Sequence, residues 1–145
     1  MTVPMELLME LPPAKGALGM PTRIFLFAVA LIFIGYGIAC ALDPALPARL
    51  AGLSIESADG YAEMGAMYGG LQVGVGLFCL LGALQQSQRQ STLLLLVLAI
   101  GLLAILRAVS ALRTEDPVGS YTLGALAFES LVAIISLLLV RRGTR

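Results

Sequence analysis

Two ionisable residues interrupt long apolar stretches of this sequence, and they are the first candidates for chemistry. Arg107 lies within "TLLLLVLAIGLLAILRAVSALR", and Glu129 lies within "GSYTLGALAFESLVAIISLLLV". A charged side chain in hydrocarbon is costly, so such residues usually pair with one another or mark a functional site. We therefore expect Arg107 and Glu129 to form an ion pair inside a membrane.

Other polar residues fall at similar depths in neighbouring apolar stretches. Tyr68 and Gln72 belong to the glycine-rich stretch 62–84. Counted from the outer ends of their stretches at about 1.5 Å per residue, these polar groups lie roughly 9 to 15 Å deep. We expect Tyr68 and Gln72 to complete the hydrogen bonds of the ion pair, in a polar pocket in the outer half of the protein. The candidate ligand-binding residues are Tyr68, Gln72, Arg107, Glu129 and Ser110.

Three interpretations of these polar residues stay open at this point. They could act only as interhelical glue, they could bind a small lipophilic molecule such as a quinone or a lipid, or Glu129 could carry protons. Arg107 could also extend its guanidinium to the outer headgroups and leave a protonated Glu129 behind.

Composition places the chain in the membrane class and excludes several others. Hydrophobic residues make up 59% of the 145 residues and charged residues only 12%, far from the balance of soluble domains. The absence of His removes most metal and haem ligation and His-based catalysis, so we predict no catalytic residues, no metal and no cofactor. A net charge of zero gives no electrostatic case for nucleic acid.

Four apolar stretches predict an all-α fold of four transmembrane helices in an up-down bundle. A single domain over residues 23–140 would follow a flexible tail over 1–22 and precede a basic tail over 141–145. The first stretch could instead be a signal peptide cleaved after Ala41, but it is long for a signal and we expect it to be retained. The predicted spans are 24–42, 62–84, 92–113 and 119–140.

The distribution of Lys and Arg predicts that both chain ends are cytoplasmic, because basic residues are retained on that side. In this arrangement only Arg49 and Arg113 lie outside. The cytoplasmic side would hold Lys15, Arg23, Arg89, Arg141, Arg142 and Arg145.

Glycines in the second stretch predict close helix packing, because small residues let membrane helices approach one another. Cys40 and Cys79 would lie near opposite faces of the bilayer, too far apart for a disulfide. The candidate packing residues are Gly65, Gly69, Gly70, Gly74 and Gly76.

The run "AMYGGLQVGVGLF", followed by "LRAVSAL", an acidic-Pro-Gly turn and a last helix with one inward Glu, resembles a family of small bacterial membrane proteins, domain of unknown function 4345. The most specific part is Tyr68-Gly69-Gly70, with Arg107 and Glu129 as matching single positions. The resemblance covers about residues 24–140 and implies a four-helix inner-membrane protein, but it implies no activity.

These patterns favour a non-catalytic accessory or binding subunit whose pocket opens to the outer side. The expected partners are the lipid bilayer, a lipophilic small molecule, and a protein partner or a second copy of the chain. A membrane enzyme or proton-coupled carrier that uses Glu129 is the more distant alternative, since no nucleophile–base pair is recognisable.

Overall fold

The computed structural model describes residues 19–143, which are helical with short connections and contain no strand. The N-terminal part of the predicted tail, residues 1–18, and the last two residues lie outside this range. The helices are α1 (Met20–Leu42), the short α2 (Ala45–Ala51), α3 (Ala58–Leu84), α4 (Gln86–Ala111) and α5 (Ser120–Gly143).

Four of these helices are long and apolar enough to cross a membrane: α1, α3, α4 and α5. Only 22% to 33% of their most apolar windows is buried inside the protein. Most of the apolar surface therefore points outward, which is stable only in contact with lipid. The chain is a multi-pass membrane protein.

The helices extend further into polar sequence than the predicted spans. α3 begins at Ala58 rather than at residue 62, where the Ser57 hydroxyl accepts a hydrogen bond of 3.0 Å from the Gly60 N–H. α4 begins at Gln86 with a turn of 3₁₀ helix, so the predicted polar turn is largely helical. α1 likewise begins at Met20, inside the predicted tail, and α5 continues through Arg142. A helical backbone satisfies its own N–H and C=O groups, which favours it near the membrane.

Neighbouring long helices run antiparallel, as the contacts along each pair show. On α1 and α3, Gly37 meets Val73 while Ile34 meets Gly76, so one helix ascends as the other descends. On α4 and α5, Gly101 lies opposite Ala133. This up-down arrangement agrees with the predicted fold class.

Several glycines bring α1 and α3 close together. A Cβ atom on Gly69 would lie 3.0 Å from the Ala41 Cα, and one on Gly76 would lie 2.9 Å from the Ile34 nitrogen. Gly65 makes only ordinary contact, 3.4 Å from Pro44.

The packing role predicted for Gly70 and Gly74 is wrong. A Cβ atom on either would meet nothing within 4 Å, because both face away from the other helices. Two glycines that were not predicted, Gly37 and Gly82, pack instead against Val73 and Thr92. The glycine spacing indicated a packing helix but did not show which face is covered.

A hydrophobic core fills the half of the bundle that contains the start of α1 and the end of α3. The other half, where α1 ends and α3 begins, contains no member of this core cluster. Both cysteines are buried as free thiols. The core residues are Leu26, Val29, Ala30, Phe33, Cys79, Ala83, Leu93, Leu96, Ile100 and Val132.

The short helix α2 contacts α1, the start of α3 and α5. Asp43 accepts a hydrogen bond from the Ala45 N–H at 3.2 Å and forms a solvent-exposed ion pair with Arg49. This guanidinium lowers the pKa of the Asp43 carboxyl below its usual value. Two residues of α2, Pro47 and Ala48, are buried. The helix therefore packs against the half of the bundle that lacks this core.

Candidate functional site

Arg107 on α4 and Glu129 on α5 form a two-point ion pair, which confirms the predicted pairing. The Arg107 Nε donates to Glu129 Oε2 at 2.8 Å, and Nη2 donates to Oε1 at 2.6 Å. The Glu129 side chain retains 7% of its accessible area and Arg107 retains 24%. Arg107 therefore points to α5, and the alternative of an arginine reaching away from a protonated Glu129 does not describe this structure.

Close packing of α4 against α5 places the two charges within reach of each other. A Cβ atom on Gly101 would lie 3.6 Å from the Ala133 Cβ, so the helices approach closely at that point. Glu129 precedes Ala133 by about one helical turn on α5. Arg107 follows Gly101 by a little under two turns on α4. The antiparallel register thus aligns the carboxylate with the guanidinium.

A cavity of about 390 Å³ lies beside the ion pair and is lined by all four long helices. Tyr68, Gln72, Arg107 and Glu129, four of the five candidate residues, lie in its wall. The remainder of the wall is mainly aliphatic and aromatic. The other lining residues are Ile32, Phe33, Tyr36, Leu103, Ser120, Tyr121, Gly124, Ala125 and Phe128.

The expected hydrogen bonds from Tyr68 and Gln72 to the ion pair are absent among residues 19–143. The carboxylate oxygens of Glu129 accept from Arg107, and neither Tyr68 nor Gln72 reaches them. The two side chains share the cavity wall with the pair rather than its hydrogen-bond network. Depth along the helices placed them correctly, but depth does not determine the direction of a side chain.

An aromatic wall that the sequence did not predict joins α1 to α5. The hydroxyls of Tyr36 and Tyr121 lie 3.3 Å apart. One turn away on α1 and two turns away on α5, the rings of Phe33 and Phe128 are 6.0 Å apart between centroids and tilted by 41°. A Tyr near the end of a membrane span usually indicates an interfacial aromatic belt, so these residues carried no distinct signal for a cavity.

A second cavity of about 460 Å³ lies between α3, α4 and α5, nearer the loop that joins α4 to α5. Ser110, predicted to bind the same ligand as the other candidates, lines this cavity and not the central one. Thr114 and Thr122 lie in the same wall. Tyr68, Leu103 and Arg107 line both cavities, so they form the partition between them.

One sparsely packed side of the central cavity lies between α1 and α5. The backbones of these two helices hardly approach within 8 Å of one another, in contrast to the closely packed pairs α1–α3 and α4–α5. Side-chain contacts between Phe33 and Phe128 and between Tyr36 and Tyr121 cross the gap. Ile32, which lines the cavity on the α1 side, is 51% exposed.

A π-helical turn, Gly65–Gly70, lies within α3 and contains Tyr68. A π turn adds a residue to the helical period and is frequent at functional sites. It shifts the face on which later residues project, and α4 has a similar turn at Leu96–Ile100, upstream of Arg107. Sequence periodicity alone gives no indication of either turn.

The fold and the buried ion pair define a class: a multi-pass membrane protein of four long helices with a charged pair between α4 and α5. Residues 21–140 match the family described as domain of unknown function (DUF4345), and the chain belongs to that family. This match confirms the resemblance seen in the sequence. No curated protein and no solved structure matches the chain significantly.

Proposed function

We propose that this protein is a non-catalytic membrane protein that binds a small lipophilic molecule, such as a quinone or a lipid, in the central cavity. The observation that carries the proposal is a partly open cavity of about 390 Å³ beside the Arg107–Glu129 pair. That volume lies within the range of about 300–1,000 Å³ typical of small-molecule sites. Helices that use polar residues only as glue have no need of such a cavity, since direct contacts suffice.

The chemistry of the cavity wall favours binding over catalysis. The two charged side chains in the wall are hydrogen-bonded to each other at two points. A general base must be within hydrogen-bonding reach of the proton that it removes, and the Glu129 carboxylate is almost fully buried against Arg107. This arrangement supports a structural charge pair with a ligand beside it.

Native mass spectrometry of protein released gently from its own membranes tests the proposal. The Gly124→Leu variant adds a side chain inside the cavity, where a Cβ atom meets nothing within 4 Å. We expect the parent protein to carry a small lipophilic adduct and this variant to lose it.

The matched control is Gly74→Leu, which makes the same change at another exposed helical glycine that does not line the cavity. It should retain the adduct. A parent protein without any adduct, or an adduct that survives Gly124→Leu, would contradict binding in this cavity. The same spectra show whether a protein partner or a second copy of the chain stays bound. Such a partner is expected if the protein is an accessory subunit.

We also propose that the protein lies in the bacterial inner membrane with both ends in the cytoplasm. The support is the excess of Lys and Arg on one side of the four helices, with Arg49 and Arg113 alone on the other. The cavities lie toward the latter side and would then occupy the outer half of the membrane. A green fluorescent protein fused to the C-terminus should fluoresce, and alkaline phosphatase fused after Asp116 should be active; the reverse pattern would contradict this topology.

A further inference from the structure

The charges in the wall of the central cavity are balanced before any ligand arrives. Among residues 19–143, Arg107 and Glu129 are the only charged residues that line it, and they neutralise each other. A ligand that carried its own net charge would bring an uncompensated charge into a region surrounded by apolar side chains. Burial of an unpaired charge is strongly unfavourable.

Among the polar side chains left over in the wall, N–H and O–H donors outnumber the acceptor oxygens, which belong to Gln72, Tyr68 and Ser120. An arginine has five N–H donors, and Arg107 uses only its Nε and one Nη2 donor on Glu129. Within residues 19–143, the Arg107 Nη1, the Gln72 amide and the Tyr68 hydroxyl have no hydrogen-bond partner, although all three side chains line the cavity. The Glu129 oxygens, the strongest acceptors in the wall, are engaged by the guanidinium.

From this charge balance and surplus of donors, and resting on the proposed function, we infer that the ligand has a neutral head that accepts hydrogen bonds. A head with carbonyl oxygens, as in a quinone or a neutral ester lipid, satisfies these donors without disturbing the ion pair. An anionic head would compete with Glu129 for Arg107 and leave a nearly buried carboxylate unpaired. A cationic head would meet the Arg107 guanidinium and find no unengaged carboxylate.

The geometry of the cavity also orients such a ligand. The unpartnered polar groups lie mainly on α3 and α4, whereas α1 contributes the apolar Ile32 and Phe33 to the wall. A head bound near Arg107 would therefore leave its apolar tail on the α1 side of the cavity. The Phe33 and Phe128 rings supply an apolar wall beside the tail.

A series of probes with the same decyl chain and different heads tests the inference on the intact protein in lipid nanodiscs. The heads are benzoquinone (neutral, two carbonyls), sulfonate (anionic) and trimethylammonium (cationic), each titrated while native mass spectrometry counts the bound probe. We expect the quinone to bind at least about tenfold more tightly than either charged probe, the scale of one net hydrogen bond. Gly124→Leu should abolish this binding.

A second variant tests the role of the donors. Gln72→Leu should weaken quinone binding by about tenfold. Its unfolding midpoint without probe should not fall, because the amide makes no hydrogen bond within residues 19–143. A merely structural Gln72 would show the opposite result, a lowered midpoint with unchanged affinity.

The outcomes separate this inference from the proposed function. If the sulfonate or ammonium probe binds most tightly, in a manner sensitive to Gly124→Leu, the neutral head is refuted while binding in the cavity stands. Unchanged quinone affinity in Gln72→Leu would also refute the donor argument. If no probe binds and protein from native membranes carries no adduct, the proposed function itself fails.

Discussion

Removing one member of the Arg107–Glu129 pair should destabilise the protein far more than removing both. Breaking a buried ion pair from one side costs about 3–5 kcal/mol, whereas replacement by well-packed apolar residues is often neutral. Arg107 retains 24% of its side-chain area, so we take the lower end of that range. We expect about 3 kcal/mol for each of Arg107→Leu and Glu129→Leu, and about 1 kcal/mol for the double variant.

These values imply a coupling free energy of about 4–5 kcal/mol between the two side chains. Interhelical hydrogen bonds in a membrane typically give about 0.6 kcal/mol in such cycles, with a maximum near 1.7. The size of the coupling therefore distinguishes a buried ion pair from ordinary polar glue.

The coupling can be measured by unfolding in mixed micelles with increasing sodium dodecyl sulfate, followed by the loss of helical circular dichroism. The matched control is the Asp43–Arg49 pair, which has the same functional groups but is exposed to solvent. A cycle of Asp43→Leu and Arg49→Leu should show a coupling far below that of the buried pair, since exposed ion pairs contribute little. A coupling below about 1.7 kcal/mol for Arg107 and Glu129, or single variants as stable as the double, would refute the reasoning.

Three further predictions concern the helices that hold the cavity. Gly76→Ala should destabilise the protein by about 1–3 kcal/mol through overpacking, because the new Cβ would lie 2.9 Å from a backbone nitrogen of α1. Gly74→Ala should instead stabilise the protein by up to about 1 kcal/mol, because Gly74 faces open space. Unfolding in detergent measures both changes. Ser57→Ala should cost about 1 kcal/mol by removing the N-cap of α3, seen as faster hydrogen exchange at residues 58–61. Because the pKa of Asp43 is lowered, the ionised Asp43 carboxylate stabilises the folded state above about pH 3.9, and this stabilisation is lost as the pH falls through the lowered pKa. Unfolding midpoints measured down to about pH 2 should show this loss of stability in the parent protein but not in Asp43→Asn.

The pairing of Arg107 with Glu129 could be predicted from the sequence because hydrocarbon offers a charge so few partners. Away from the span ends, where Glu63 and Arg113 lie, these two residues were the only candidates for each other in the predicted spans. Tyr68 and Gln72 were placed at the same level by counting residues along a helix, and both line the cavity. Each of these predictions used one helix at a time and needed only its period and rise.

Predictions that depended on the direction of side chains were less successful. Gly70 and Gly74 belong to the same glycine-rich run as Gly69 and Gly76, yet only the latter two face α1 closely. The π turn that contains Gly69 and Gly70 changes the face presented by the residues after it. Ser110 likewise lines the neighbouring cavity, one turn further toward the loop than Arg107.

The sequence by itself determined the class of the protein, the number of membrane helices and the charged pair, because each follows from the high free-energy cost of exposing polar groups to lipid. The tertiary structure alone decided that a void lies beside the pair. Its walls come from four helices, and α1 and α5, far apart in sequence, meet beside it through Tyr36–Tyr121 and Phe33–Phe128. A void forms where the surfaces of neighbouring helices do not fit closely. The order of residue types along the chain indicates which groups avoid lipid, but it does not indicate how well the helix surfaces fit together.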